Sequence, residues 1–135
     1  MLRYMLDTNI VAYAKNRKPA SVLAKLIQLD PSEVCISAVT MAELEYGVFN
    51  SSKPGQNRKA LMLFLSGITI LPFGTEAALE YGDIRHKLKT QGTLIGANNL
   101  LIAAHAKSLN LTLVTHNTRE FERVEGLKIE DWVKE

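Results

Sequence analysis

Asp7 ends the apolar run Tyr4-Met5-Leu6 and is followed by Thr8 and Asn9, two small polar residues whose side chains can orient a carboxylate or a metal-held water. The same Asp can simply cap a helix that starts there. Glu43 shares a helical face with Val39 and Tyr46, while Glu45 falls roughly opposite by the ~100° step of a helix. An acid on such a stripe either needs a partner inside or makes a surface ion pair at the margin. Asn98 and Asn99 open the apolar segment Leu100-Leu101-Ile102-Ala103-Ala104-His105, where amides ordinarily cap a helix. Thr115-His116-Asn117-Thr118-Arg119-Glu120-Phe121 mixes hydroxyl, amide, base and acid, which suits phosphate and metal-water contacts but also suits a turn with a Glu–Arg surface pair. His105 lies about 120° around the helix from Asn99, poorly placed to share one ion with it, and is expected to be a partly buried structural histidine. His116 is expected to be exposed, with no catalytic proton to transfer.

The elements that must position these residues alternate. Strands are expected at Leu2–Leu6, Val34–Ile36, Ile68–Leu71 and Thr112–Thr115, with a last edge strand at Lys128–Glu130. Helices are expected over Ser21–Leu29, from a cap at Ser37 or Thr40 to about Asn50, over Gln56–Leu65, from a cap at Thr75 toward Lys89, and over Ala97–Leu109. Such alternation predicts an α/β fold, three layers in α/β/α order around a central, mainly parallel sheet. In open sheets of this kind ligands sit outside the carboxyl ends of the strands, where both Asp7 and the segment after Thr115 would lie.

Composition bounds the function without choosing it. The 135 residues are expected to form a single domain over 1–135, with no repeat and no linker longer than Ser51–Gly55. A net charge of +2 permits nucleic acid without pointing to it. Cys35 is the only cysteine, so no internal disulfide can form and a reducing cytoplasm is expected. The apolar run Ala60–Leu65 is far short of the ~20 residues that span a membrane, and no secretion signal is expected, since Asp7 and Asn9 break the apolar stretch from Tyr4 to Tyr13.

In order, Met5-Leu6-Asp7-Thr8-Asn9-Ile10, Ser37-Ala38-Val39-Thr40-Met41-Ala42-Glu43-Leu44, Ile95-Gly96-Ala97-Asn98-Asn99-Leu100 through His105, and Thr115 through Phe121 resemble the successive motifs of PIN-domain VapC toxins. The likeness runs along essentially the whole chain. It implies a PIN-like fold and a metal-dependent endoribonuclease, the toxin half of a toxin–antitoxin pair. It also implies an acidic centre in which Asp7 and Glu43 match the first two acids, with the late position shared between Asn117 and Glu120. Thr8, Asn9 and Thr115 would support them. Mg²⁺ or Mn²⁺ suits such a centre, because hard cations take oxygen ligands and their charge offsets carboxylates crowded beside a phosphate. Water activated there would attack the phosphodiester and leave a 5′-phosphate and a 3′-hydroxyl.

This sequence departs from the resemblance at Asn99, where the pattern carries Asp. The exchange keeps the shape, removes one negative charge and leaves a weaker metal ligand, so it is expected to spare the fold and impair the chemistry, whether natural or engineered. The implied partners are an RNA such as initiator tRNA, a VapB-type antitoxin over the groove, and a second copy of the chain. Lys15, Arg17, Lys18, Arg85, Lys87, Lys89, Arg119 and Arg123 can frame the RNA, and the apolar helix run Leu61–Leu65 can supply interface. Two other functions compete. A haloacid-dehalogenase-like phosphatase would want an acid where Asn9 stands, and a noncatalytic RNA- or antitoxin-binding module would tolerate Asn99.

Overall fold

The computed structural model describes residues 1–134; Glu135, the last residue of the expected 1–135 domain, lies outside the described residues. Five strands, β1 (Tyr4–Leu6), β2 (Val34–Ser37), β3 (Thr69–Leu71), β4 (Thr112–Val114) and β5 (Ile129–Glu130), form one sheet in the order β3-β2-β1-β4-β5. Every pairing is parallel, so the sheet is parallel throughout. Seven α-helices are present among the described residues: α1 (Thr8–Asn16), α2 (Ala20–Ile27), α3 (Ala38–Phe49), α4 (Pro54–Leu65), α5 (Thr75–Gln91), α6 (Ala97–Ser108) and α7 (Thr118–Phe121).

The sheet is central because its strands carry apolar side chains on both faces. Tyr4, Leu6, Val34, Ile36 and Val114 point into one core with Ile10, Val11, Val22 and Leu61. Met5, Cys35 and Leu113 point into the other with Ile84, Leu88, Ile102, Ala103 and Phe121. Successive residues alternate between the two layers, as the two-residue period of a strand requires. Burial pushes the Cys35 thiol up to about 12, so this cysteine acts as a small apolar filler.

Two expected caps are present, while other features differ from the sequence expectation. The Asp7-Thr8-Asn9 step starts α1 immediately, with Asp7 as its cap. Ser37, rather than Thr40, caps α3 by accepting the Val39 N–H at 3.0 Å. Thr75 is the first residue of α5 and Gly74 is its cap. The stripe proposed for Glu43 does not run inward, since Tyr46 is 69% exposed and the buried residues of α3 are Thr40 and Val48. The Leu61–Leu65 run divides: Leu61 and Leu65 are buried, whereas Leu63 is 77% exposed.

Candidate active site

The strand order reverses between β1 and β4, which puts a crevice at their carboxyl ends. Two backbone hydrogen bonds fix its floor: the Asp7 N–H donates to the Val114 carbonyl at 3.0 Å, and the Thr115 N–H donates to the Glu130 carbonyl at 2.9 Å. Asp7 is 5% exposed and Thr115 is fully buried.

Asp7 takes the capping role that its position offers. Its carboxylate accepts the Ile10 N–H at 3.0 Å, capping α1 directly after the end of β1. Burial pushes its pKa up, and the charge of Glu43 pushes the same way, against the Thr115 hydroxyl and the Ile10 and Asn9 N–H groups that favour the anion. Asn9 therefore supports Asp7 through its backbone.

Glu43 reaches the crevice from the middle of α3. It accepts a short hydrogen bond from the Thr8 hydroxyl and a second from the Asn98 amide at 3.1 Å. One turn before it, the buried Thr40 hydroxyl has no hydrogen-bond partner. A groove of about 420 Å³ leads away from Glu43 between α1, α3 and α4, lined by Thr8, Lys15, Asn16, Leu44, Asn57 and Leu61 among others.

Glu120 sits in a separate niche. One of its carboxylate oxygens accepts the Gly96 N–H at 2.6 Å and the Asn99 amide at 3.1 Å; the other accepts the Asn117 amide at 2.9 Å. The Gly96 N–H is the main cause of its lowered pKa, with help from Asn117, Asn99 and the Arg123 charge. Asn117 is held in turn by its N–H donating to the Thr115 hydroxyl at 3.0 Å. Among the described residues no three His, Cys, Asp or Glu side chains converge closely enough to hold a metal. Asp7, Glu43 and Glu120 thus form a pair and a neighbour rather than one acidic cluster.

Sequence reasoning missed two parts of this arrangement. Asn98, read only as a capping amide, is the partner of Glu43. The Gly96 N–H is a backbone donor, and no residue type announces it. His116 is exposed as expected and pairs with Asp131 at 3.0 Å, while His105 is more deeply buried than expected, at 2% exposure. A cavity of about 750 Å³, mostly apolar, is lined by Leu2, Leu71, Pro72, His105 and Leu111 among others and contains none of the crevice acids. Convergent carboxylates and amides mark the chemistry better than volume does.

A parallel sheet with this strand order and acids at its switch point defines the class, and residues 4–127 match the family described as PIN domain. The chain is 47% identical to Ribonuclease VapC2 of Haemophilus influenzae, over 98% of this chain and all of that protein. It is 46% identical to the tRNA(fMet)-specific endonuclease VapC of Shigella flexneri, over 98% of this chain and 99% of that one. The crystal structure of DNA-bound VapBC from Salmonella typhimurium superposes with a TM-score of 0.93 at 41% identity, covering 98% of this chain and all of its counterpart. The chain belongs to the VapC ribonuclease branch of the PIN-domain family.

Proposed function

We propose that this chain is the toxin of a toxin–antitoxin pair and an endoribonuclease that works with a hard divalent cation, Mg²⁺ or Mn²⁺, with its activity reduced by Asn99. The observation that carries the proposal is the buried Asp7 at the end of β1, with the partly buried Glu43 carboxylate near enough to add to the rise in its proton affinity. A divalent ion relieves that crowding. The donors nearby are all oxygens: the two carboxylates, the Thr115 hydroxyl, the unpartnered Thr40 hydroxyl and the amide oxygens of Asn98 and Asn99. That set suits a hard cation and lacks the soft ligands that zinc or copper would prefer.

In this reading Asp7 and Glu43 would hold the ion, and the residue at position 99 would complete the set. An ion held there would supply positive charge beside a scissile phosphate and would make a water more acidic. Thr8 and Asn98 orient the Glu43 carboxylate, and Thr115 orients Asp7. Glu120, held by Gly96, Asn99 and Asn117, places a second negative charge at the crevice edge, where it can orient a water by hydrogen bonding. Lys15 offers a phosphate contact along the groove. The relatives' names support an RNA substrate of the initiator-tRNA kind, and the VapBC complexes support an antitoxin covering the crevice. The half-exposed helix α4 supports a second copy as partner, and no described helix is long and apolar enough to cross a membrane. The chain is proposed to act as one cytoplasmic domain.

Asn99 favours a second reading, in which the chain binds RNA or antitoxin without cutting, because its amide is already committed to Glu120. Asn99→Asp decides between them. The proposal expects RNA cleavage to rise on the order of 10²-fold with Mg²⁺ or Mn²⁺ and to vanish with a chelator. Equal cleavage by both forms, or none by either, would reject it.

A further inference from the structure

His105 and Ser37 are almost fully buried, and neither hydrogen-bonds to Asp7, Glu43 or Glu120. His105 Nδ1 is 2.8 Å from Ser37 Oγ. The same Ser37 oxygen accepts the Val39 N–H at 3.0 Å, and Phe73 packs edge-on against the imidazole with centroids 5.4 Å apart. Burial lowers the pKa of His105, which keeps the ring neutral at ordinary pH. Its proton then belongs on Nε2, and Nδ1 accepts the Ser37 hydroxyl. An apolar side chain would fill this space with no such requirement. A hydrogen-bonded polar pair in a core is an expensive way to fill volume and an effective way to fix geometry.

Ser37 starts α3, six residues before Glu43, and His105 stands on α6, six residues after Asn99. The two helices meet at a second point, where Asn98 donates to Glu43 at 3.1 Å. On each helix the two contact points are about 10 Å apart at the rise of 1.5 Å per residue. A single bond leaves α6 free to pivot; two bonds at that separation fix both its slide and its rotation against α3.

We propose that the Ser37–His105 hydrogen bond is a positioning device, the buried end of a two-point clamp that holds residue 99 of α6 in register with Glu43 of α3 and Asp7. The proposal rests on the assignment of residues 7, 43 and 99 to one site. Both residues are positioning residues, since neither reaches the crevice. Misplacement by about 1 Å is enough to cost such a site heavily.

The test places His105→Leu, His105→Asn and Ser37→Ala in the full chain and, separately, in the full chain carrying Asn99→Asp. Leu fills the space without bonding, whereas Asn sets an amide atom where Nδ1 stood. In the unaltered background, His105→Leu and Ser37→Ala should move the Asn98 side-chain amide NMR signals toward those of a free amide. In the Asn99→Asp background they should lower kcat about tenfold or more with KM within about twofold. His105→Asn should recover most of both.

The Asn98 signals need neither RNA nor metal. They report on the clamp even if Asn99→Asp proves inactive, a result that would overturn the functional proposal instead. A lowered melting temperature with unchanged Asn98 signals and unchanged kcat would make the pair a packing feature and overturn the clamp. Should His105→Leu fail to fold, Ser37→Ala removes a single hydroxyl and carries the same two readouts.

Discussion

Asp7 and Glu120 stand at the same edge of the sheet, yet their surroundings treat a negative charge in opposite ways. Asp7 is 5% exposed, and burial together with Glu43 raises its pKa. Glu120 is half-buried, takes three N–H donors from Gly96, Asn99 and Asn117, and has its pKa lowered. One half of the crevice is electrostatically unfinished and the other is already satisfied by amides. The unfinished half is where a cation gains most, and Asn99 sits at the boundary, with its amide turned to the satisfied side.

The contrast fixes the pH signs. A raised folded-state pKa means the folded protein holds the Asp7 proton more tightly than the unfolded chain, so stability falls as pH rises through the window above the usual carboxylate value. For Glu120 the sign reverses: its contribution is present above the unfolded pKa and is lost as pH falls through the lowered folded value.

The largest effect expected from breaking the comparison is at Asp7. Asp7→Asn in the Asn99→Asp background should cut RNA cleavage by about 10²-fold or more, and in either background it should raise the melting temperature at pH 7 by about 2–5 °C. Kinetics and thermal melts check the two halves of that expectation. A melting temperature that falls at pH 7 would show that the carboxylate is worth more as the α1 cap than it costs as a buried charge.

Glu120→Gln should act in the other direction on stability. It replaces charge-assisted hydrogen bonds by neutral ones, so denaturant titration at pH 7 should show a loss of about 1 kcal/mol that shrinks as pH falls through the Glu120 titration. Cleavage in the Asn99→Asp background should drop about tenfold, less than for Asp7→Asn, because Glu120 is outside the Asp7–Glu43 pair. The smallest effect belongs to the groove. Lys15→Ala should raise KM a few-fold with kcat unchanged and reduce the salt dependence of RNA binding by about one phosphate contact.

In both halves the contacts that hold the acids were harder to see in the sequence than the acids themselves. Asp7 was legible because an apolar strand stops on it, and the β/α alternation placed that strand end at the ligand edge. Glu43 was found as an acid on a helix, but the stripe used to orient it was wrong. Tyr46 points to solvent, and Glu43 is held at the margin by Thr8 and Asn98. Asn98 was hidden because an amide at a helix start is the commonest of caps, while here Gly96 takes the cap position. The Gly96 N–H reaches Glu120 across 24 residues, a contact that only the fold can create. His105 was assigned a structural place, and its bond to Ser37, 68 residues away, was equally out of reach of local periodicity.

The central claim is that Asp7 and Glu43 form an unfinished cation site that Asn99 leaves one carboxylate short. Titrating Mn²⁺ into the chain and into Asn99→Asp, with Asp7→Asn as control, measures this without RNA. The account predicts that Asn99→Asp tightens Mn²⁺ binding by about tenfold or more and that Asp7→Asn removes it. Equal Mn²⁺ affinity in all three proteins would contradict it.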